Sequence, residues 1–182
     1  FHKDIFTFET GVAIGSLKVT FHTSDFPYKV SDGRKVIWIC HALTANSDPS
    51  EWWPELVGPG SLFDTDRYFV VCAHMLGSCY GSSGPATTHP ETGNPYYFDC
   101  PKETARDIVN ANILVRKHLG IESIDLIVGG SIGGFQALEW CVMEPDVIRK
   151  AIFIACGPRV TPWLSASVES QRRALEADQT FR

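Results

Sequence analysis

One short glycine-rich segment near the middle of the chain carries a serine that could act as a nucleophile. Residues 129–133 read Gly-Gly-Ser-Ile-Gly, the G-x-S-x-G pattern that is typical of a sharp strand-to-helix turn called a nucleophile elbow. The apolar run 124–128 precedes it and a predicted helix follows it. This context favours a strained nucleophile at Ser131 over the alternative, a glycine turn whose serine only caps a helix.

A loop after an earlier apolar run could supply the other half of an oxyanion hole. Residues 40–44 read Cys-His-Ala-Leu-Thr. In the fold built around such an elbow, the donors are the backbone N–H of the residue after the nucleophile and one from this earlier loop. We therefore predict that the N–H groups of Leu43 and Ile132 converge near the Ser131 hydroxyl. Each such donor contributes roughly 3–4 kcal/mol to stabilising a tetrahedral oxyanion.

None of the six histidines is a convincing general base for Ser131. In this arrangement the base follows the nucleophile, in the order serine, acid, histidine, whereas no histidine lies beyond His118. We expect His41 to shape the predicted oxyanion loop, and His74, His89 and His118 have weaker claims as bases. A serine with no base is a weak nucleophile at neutral pH.

The elements that must position these residues predict an α/β fold. Four short apolar runs, 36–40, 68–72, 124–128 and 151–155, show no alternation, which is typical of parallel strands buried on both faces. The region 6–21 contains two glycines and alternating residues, and it predicts an antiparallel hairpin. Together they indicate a doubly wound sheet with an antiparallel N-terminal hairpin.

Two helices are predicted between the later strands. The first begins after Thr104, which with Asp107 is close to a capping box, and it ends at Gly120. Its predicted buried face consists of apolar residues at helical spacing: Ile108, Ala111, Val115 and Leu119. The second runs from about Gly133 to Glu144. Its predicted apolar stripe is Phe135, Leu138, Cys141 and Val142.

Two long segments, 44–67 and 76–100, are irregular. Loops of this length are unusual in a compact domain and are often functional. Trp52 and Trp53 lie in the first of them. They could form the wall of a site, although packing beneath the loop is the favoured interpretation.

The six cysteines form no C-x-x-C pair. Four of them lie in apolar runs, namely Cys40, Cys72, Cys141 and Cys156. This favours buried free thiols in a reducing compartment. The alternative is a zinc site at Cys72, His74 and Cys79, but their spacing matches no usual zinc pattern, so we predict no metal.

Composition argues against several classes of protein. The 182 residues, 44% hydrophobic and 20% charged, suit one globular domain over residues 1–182. A net charge of −5 argues against a nucleic-acid partner. No apolar run approaches the roughly 20 residues that span a bilayer, so no membrane partner is predicted. The chain begins at Phe1 without a signal peptide or an initiator Met, and we expect a fragment or a processed product.

Several segments resemble the homoserine O-acetyltransferase family. They are HALTAN at His41, WWPELVGPG at Trp52, DTDRYFVVC at Asp64, LGSCYGSSGP at Leu76, TGNPY at Thr92, ARDIV at Ala105, GGSIGGFQALEW at Gly129 and QRRAL at Gln171. The resemblance is closest over residues 38–157, about two-thirds of the chain. Generic esterases lack the LGSCYGSSGP and ALEW segments, so the match is more specific than an elbow alone.

The resemblance implies an α/β-hydrolase core and an acyltransferase of methionine biosynthesis. Such an enzyme moves an acetyl group from acetyl-CoA to the hydroxyl of L-homoserine by a ping-pong mechanism through an acyl-serine, here Ser131. It implies no permanently bound cofactor, a cytoplasmic location and a homodimer of the full-length protein. Ala45, Ile132 and Phe135 differ from the usual family residues. They leave open succinyl-CoA as donor and serine as acceptor.

The resemblance also implies a protein of about twice this length. The family continues through a helical lid and further strands, which carry the Asp and His of the triad. We therefore expect the chain to be truncated before the lid and the last strands, with residues 160–182 beginning the lid, and to be inactive alone. An esterase on the same fold and a non-catalytic hydrolase-like fragment remain the alternatives.

Overall fold

The computed structural model describes residues 1–25, 28–29, 31 and 33–180. The strands are β1 (His2–Thr7), β2 (Ala13–Lys18), β3 (Phe21–Thr23), β4 (Lys35–Cys40), β5 (Val57–Gly58), β6 (Phe63–Asp64), β7 (Tyr68–Ala73), β8 (Leu126–Gly130) and β9 (Ala151–Ile154). The helices are α1 (Pro49–Trp52), α2 (Ala105–His118), α3 (Ile132–Met143) and α4 (Pro162–Ala177), with a 3-10 turn at Tyr97–Asp99.

A five-stranded sheet forms the centre of the fold. Its strand order is β3-β7-β4-β8-β9. The last four strands of this order are parallel, and β3 pairs antiparallel with β7 at the edge. The predicted α/β class is confirmed. Strand β3 is an additional antiparallel strand whose residues were predicted only as part of the hairpin region.

The predicted N-terminal hairpin is confirmed as a separate two-stranded sheet. Strands β1 and β2 pair antiparallel, with Phe6 opposite Ile14. Both side chains are buried, as is Leu17, and they join the main core cluster. The hairpin is therefore fixed to the central sheet by an apolar face.

Both faces of the central sheet are covered. Along β4, Val36, Trp38 and Cys40 join one buried cluster, while Ile37 and Ile39 join another on the opposite face. Helices α2 and α3 contribute to the first cluster. Two-sided burial explains why the strand runs are continuously apolar and do not alternate.

The tryptophan pair of the first long loop packs on the second face. Trp52 and Trp53 lie against the cluster that contains Val57 and Phe63, and their ring centroids are 4.8 Å apart. The indole N–H of Trp52 donates to the Asn46 carbonyl at 3.0 Å. These contacts support the packing interpretation of the pair.

Helix α2 begins and packs as predicted. The Thr104 hydroxyl accepts from the Asp107 N–H at 3.2 Å, and the Asp107 carboxylate accepts from the Thr104 N–H at 3.0 Å. This completes a capping box. The predicted apolar face is buried: Ile108, Ala111, Val115 and Leu119.

The prediction of the buried face of the second helix, α3, is wrong. The residues of α3 that are buried are Gly133, Gly134, Gln136, Ala137 and Trp140. Val142 is 66% exposed. The helix lies so close to the sheet that glycines must form the contact near its start, and Trp140 packs on Trp38 with ring centroids 4.9 Å apart.

The strand before the elbow lies two residues later than predicted. It runs to Gly130 because Gly129 and Gly130 continue the ladder with Phe153 and Ile154. Ile124 forms only an isolated bridge. Strand β9 ends one residue before the predicted end, since Ala155 has a positive φ of 50°.

The segment 160–180 contains one helix with no buried residue, α4. It begins with Pro162 at its first position, and the Thr161 hydroxyl accepts from the Leu164 N–H at 3.3 Å. Residues 181–182 of the predicted lid segment lie outside the described residues. Its assignment to a lid stays a prediction.

Candidate active site

Ser131 occupies a strained turn between β8 and α3. Its φ of 54° and ψ of −122° lie in a region that non-glycine residues rarely adopt. The backbone is held in place because the Ser131 N–H donates to the Ile154 carbonyl at 2.9 Å and its carbonyl accepts from the Gly134 N–H at 3.0 Å. The side chain is exposed and makes no capping hydrogen bond. The predicted elbow geometry is therefore confirmed, and the nucleophilic role of Ser131 stays a prediction.

Two glycines allow the elbow to approach the sheet closely. A Cβ on Gly133 would overlap the carbonyl oxygens of Cys40 and His41, and a Cβ on Gly129 would overlap the Gly133 carbonyl. These contacts are with backbone atoms, which cannot move aside as the end of a flexible side chain can. The start of α3 is thus in direct contact with the end of β4, where the predicted oxyanion loop begins.

The two predicted oxyanion residues line one pocket. Leu43 and Ile132 both border a cavity of about 590 Å³. Ile132 is the first residue of α3, whose N-terminal end favours negative charge. Within the described part of the chain, neither N–H group donates to another acceptor. That both N–H groups point at the Ser131 hydroxyl stays a prediction.

His41 supports the loop, as predicted. It is fully buried, its Nδ1 donates to the Ala42 carbonyl at 2.8 Å, and its Nε2 accepts from the Met75 N–H at 3.1 Å. Both ring nitrogens are therefore occupied. Burial lowers the pKa of His41 and so favours the neutral ring.

His74 has a similar structural role. Its Nε2 accepts from the Ser47 N–H at 3.2 Å, and its Nδ1 pairs with the Ser78 hydroxyl at 3.3 Å. Burial, and then the charges of His41 and His22, lower the pKa of His74 to about 4. The neutral ring joins the segment after β4 to the segment after β7.

The remaining candidate bases are also used elsewhere. His89 Nδ1 accepts from the Glu91 N–H at 3.1 Å, and the His118 ring lies 5.4 Å from that of Phe1. Among the residues that the structure describes, none of the hydrogen bonds joins Ser131 to a histidine.

Glu103 and Gln136 are polar residues of the pocket that were not predicted from the sequence as site residues. Gln136 is 1% exposed. Its Nε2 donates to the Met75 sulfur at 3.7 Å, and its Oε1 has no partner within the described residues. Glu103 lies against Gly77, where a Cβ would overlap its Oε1. Gln136 could have been found as a polar residue in an otherwise apolar helix start, whereas no local signal marks Glu103.

The six cysteines are free thiols. Cys40 and Cys72 are buried as predicted, and burial raises the pKa of both. Cys141 and Cys156 are only half-buried, which corrects the prediction for them. Cys141 packs against the main core cluster only in part, and Cys156 lies beyond the end of β9. Over the described ranges of the chain, no three His, Cys, Asp or Glu side chains cluster to hold a metal ion.

A family model described as "alpha/beta hydrolase fold" matches residues 35–181. The chain belongs to the alpha/beta hydrolase fold family. The match contains β4, the predicted oxyanion loop and the elbow, so the geometry described above is that of an alpha/beta hydrolase core.

Several similar proteins share one specific name within this family. A homoserine O-acetyltransferase of Cyclobacterium marinum is 40% identical over 179 residues, which are 98% of this chain and 50% of that protein. One of Moorella thermoacetica is 42% identical over 184 residues, 96% of this chain and 49% of that protein. The chain spans about half the length of the curated relatives it matches. The resemblance to homoserine O-acetyltransferases is confirmed.

Solved structures agree with this fold. The homoserine O-acetyltransferase of Bacillus anthracis superposes with a TM-score of 0.84 at 29% identity, covering 97% of this chain and 50% of that one. An acetylester hydrolase of Corynebacterium glutamicum gives a TM-score of 0.83 at 25% identity, covering 100% of this chain and 50% of that one. The same core thus serves proteins named as transferases and as hydrolases. None of the helices in the described residues has the length and apolarity to cross a membrane.

Proposed function

We propose that Ser131 is the nucleophile of an acyltransferase that moves an acetyl group from acetyl-CoA to the side-chain hydroxyl of L-homoserine. The observation that carries this proposal is the strained elbow at Ser131, which meets the start of α3 beside a pocket that Leu43 also lines. The name of the relatives, homoserine O-acetyltransferase, gives the acceptor and the acetyl group, and acetyl-CoA as the donor is part of our proposal.

The reaction proceeds in two half-reactions. In the first, the Ser131 oxygen attacks the thioester carbonyl, a C–O bond forms, the C–S bond breaks, and the serine proton passes through a base to the departing CoA thiolate. In the second, the base takes the proton of the homoserine hydroxyl, whose oxygen attacks the acyl-serine carbonyl. The new C–O bond forms, the C–O bond to Ser131 breaks, and the base gives that proton to the Ser131 oxygen. The base is a histidine oriented by an aspartate, which we assign to no residue of this chain.

The oxyanion that forms in both half-reactions lies at the start of α3. The N–H groups of Leu43 and Ile132 donate to it, and the helix end stabilises its charge. Support comes from the absence of any other acceptor for these two N–H groups in the described residues. His41 and His74 hold the loop that presents Leu43.

An ester hydrolase is the second candidate. It is favoured by the acetylester hydrolase of Corynebacterium glutamicum among the similar structures and by the exposed side chain of Ser131. The two candidates share the acyl-serine and differ only in whether water or an amino-acid hydroxyl accepts the acyl group.

The cofactor requirement, compartment and oligomeric state that we propose are those of the family that the chain resembles. The enzyme needs no permanently bound cofactor, since acetyl-CoA is a substrate. The free thiols fit a reducing compartment such as the cytoplasm. The full-length protein is proposed to be a homodimer of the methionine pathway, and serine as acceptor and succinyl-CoA as donor are alternatives.

The product of the complete gene tests the proposal. It is incubated with acetyl-CoA or succinyl-CoA and with L-homoserine, L-serine or water alone, and both free CoA and the acylated amino acid are measured. We expect O-acetylhomoserine to form in step with CoA release, with little release in water alone. Equal CoA release with and without an amino acid would favour the hydrolase.

A further inference from the structure

Among the residues that the structure describes, Glu103 is the one carboxylate that lines the pocket at the start of α3. We propose that Glu103 is a specificity-determining residue that disfavours acyl groups carrying a negative charge, such as succinyl, and so selects neutral acyl groups. This inference rests on the proposed acyl transfer at Ser131. It goes further by assigning the choice of donor to one side chain.

Glu103 borders this pocket and also a small neighbouring cavity. It directly precedes Thr104, whose capping box fixes the start of α2. Its Oε1 lies against the Cα of Gly77, a residue with φ of +77° that also lines the pocket. A side chain at Gly77 would displace this carboxylate, so the glycine leaves the space that Glu103 occupies.

The pocket contains no described cation to neutralise that carboxylate. Its polar lining includes Ser78, Tyr80, Thr104 and Gln136, and its described lining residues include no lysine, arginine or histidine. Within the described residues Glu103 also has no ion pair. Glu103 is exposed, so water screens part of its charge. No described side chain of the pocket neutralises it, however, and a second negative charge beside it would be repelled.

Ile132, the residue after Ser131, borders this pocket, so we expect an acyl group on Ser131 to extend toward it. The pocket is bordered by Leu43 and Ile132, which are the proposed donors to the acyl oxygen. An acetyl or propionyl chain is neutral and meets no electrostatic penalty there. A succinyl chain would bring its terminal carboxylate into a pocket where the one charged side chain among the described lining residues, Glu103, has the same sign.

The test compares three donors in the complete gene product. Acetyl-CoA, propionyl-CoA and succinyl-CoA are used with L-homoserine, in the unchanged protein, in Glu103→Gln and in the control Glu122→Gln. Glu122 is exposed, lies four residues after the C-terminal end of α2 and does not line the pocket. The readout is kcat/KM for each donor, because ratios between donors cancel losses common to all of them.

We expect Glu103→Gln to raise the succinyl-to-acetyl ratio of kcat/KM by about tenfold or more, with the propionyl-to-acetyl ratio unchanged. Glu122→Gln should change neither ratio. Glu103→Asp keeps the charge and should keep the discrimination, which separates charge from side-chain shape.

Three results would overturn the inference. An unchanged succinyl ratio in Glu103→Gln would show that the charge has no effect. A rise for propionyl equal to that for succinyl would show that size matters and charge does not. A higher KM for homoserine in Glu103→Gln, with unchanged ratios of kcat/KM between the donors, would show that Glu103 contributes to binding of the acceptor. Absence of transfer from every donor in the unchanged protein would instead contradict the proposed function itself, and the inference with it.

Discussion

Two buried histidines determine how the predicted oxyanion loop responds to acid. His41 Nε2 and His74 Nε2 both accept hydrogen bonds from backbone N–H groups. Protonation of either ring would place an N–H where an acceptor is needed. The structure therefore requires neutral rings, and burial is the main cause that lowers the pKa of each.

This requirement predicts a loss of stability in acid. The folded-state pKa of His74, about 4, is below the unfolded value of about 6.5. Between these two pH values the unfolded chain binds more protons than the folded chain does. The contribution of His74 to the free energy of unfolding is therefore complete above pH 6.5 and decreases as the pH falls toward 4. The slope from one such group is at most about 1.4 kcal/mol per pH unit.

Urea unfolding between pH 4 and pH 8 measures this effect. The unchanged chain should lose more stability on acidification than His74→Gln, whose amide oxygen can still accept from Ser47. Equal pH slopes for the two proteins would contradict the assignment of a neutral, buried His74.

At the scale of elements, the contact between α3 and the end of β4 fixes the elbow. Strained backbone such as that of Ser131 costs on the order of 1–3 kcal/mol and persists only where its surroundings enforce it. Here the enforcing contacts are the hydrogen bonds of Ser131 to Ile154 and Gly134 and the glycine contact with Cys40.

Two alanine substitutions separate this contact from ordinary glycine effects. Gly133→Ala should lower the free energy of unfolding by more than about 2 kcal/mol, because its Cβ would overlap the Cys40 and His41 carbonyl oxygens. The control Gly130→Ala should change it by less than about 1 kcal/mol, since its Cβ would meet only Ile154 at 4.0 Å. Chemical denaturation measures both, and equal losses would contradict the close approach.

The sequence was sufficient to predict those features that depend on local chemistry. The elbow, the capping box at Thr104 and the two-sided burial of β4 each depend on a few neighbouring residues, and each is confirmed. The buried face of α3 could not be predicted from apolar spacing. It is set by the distance between the helix and the sheet, which favours Gly133 and Gly134 over larger residues.

The pocket was predicted less completely than the elbow. It combines residues from the loop after β4, the loop after β7, the start of α2 and the start of α3. Ile132 and Leu43 were found because a general pattern of the fold assigns them. Glu103 and Gln136 were missed because only the tertiary arrangement brings their side chains to one cavity.

At the scale of the whole molecule, a large apolar surface lies beyond the elbow. Ile152, Phe153 and Ile154 of β9 are each 43–44% exposed, and Trp163 of α4 is 85% exposed. In the part of the chain that the structure describes, β9 pairs only with β8. An exposed apolar edge strand favours pairing with other chains.

We therefore predict that the 182-residue chain self-associates. Its apparent mass in light scattering should rise with concentration, and Phe153→Lys should reduce this rise because it adds charge to the exposed edge. Val12→Lys is the control, since Val12 is 49% exposed on the distant hairpin. A chain that is monomeric at every concentration would contradict the prediction.

The central claim is that Ser131 carries the acyl group during transfer. The most direct measurement is tandem mass spectrometry of the complete gene product after rapid quenching with acetyl-CoA and no acceptor. We predict one acetyl group on Ser131, its removal by L-homoserine, and a loss of transfer by several orders of magnitude in Ser131→Ala. An acetyl group on another residue, or a fully active Ser131→Ala, would contradict the account.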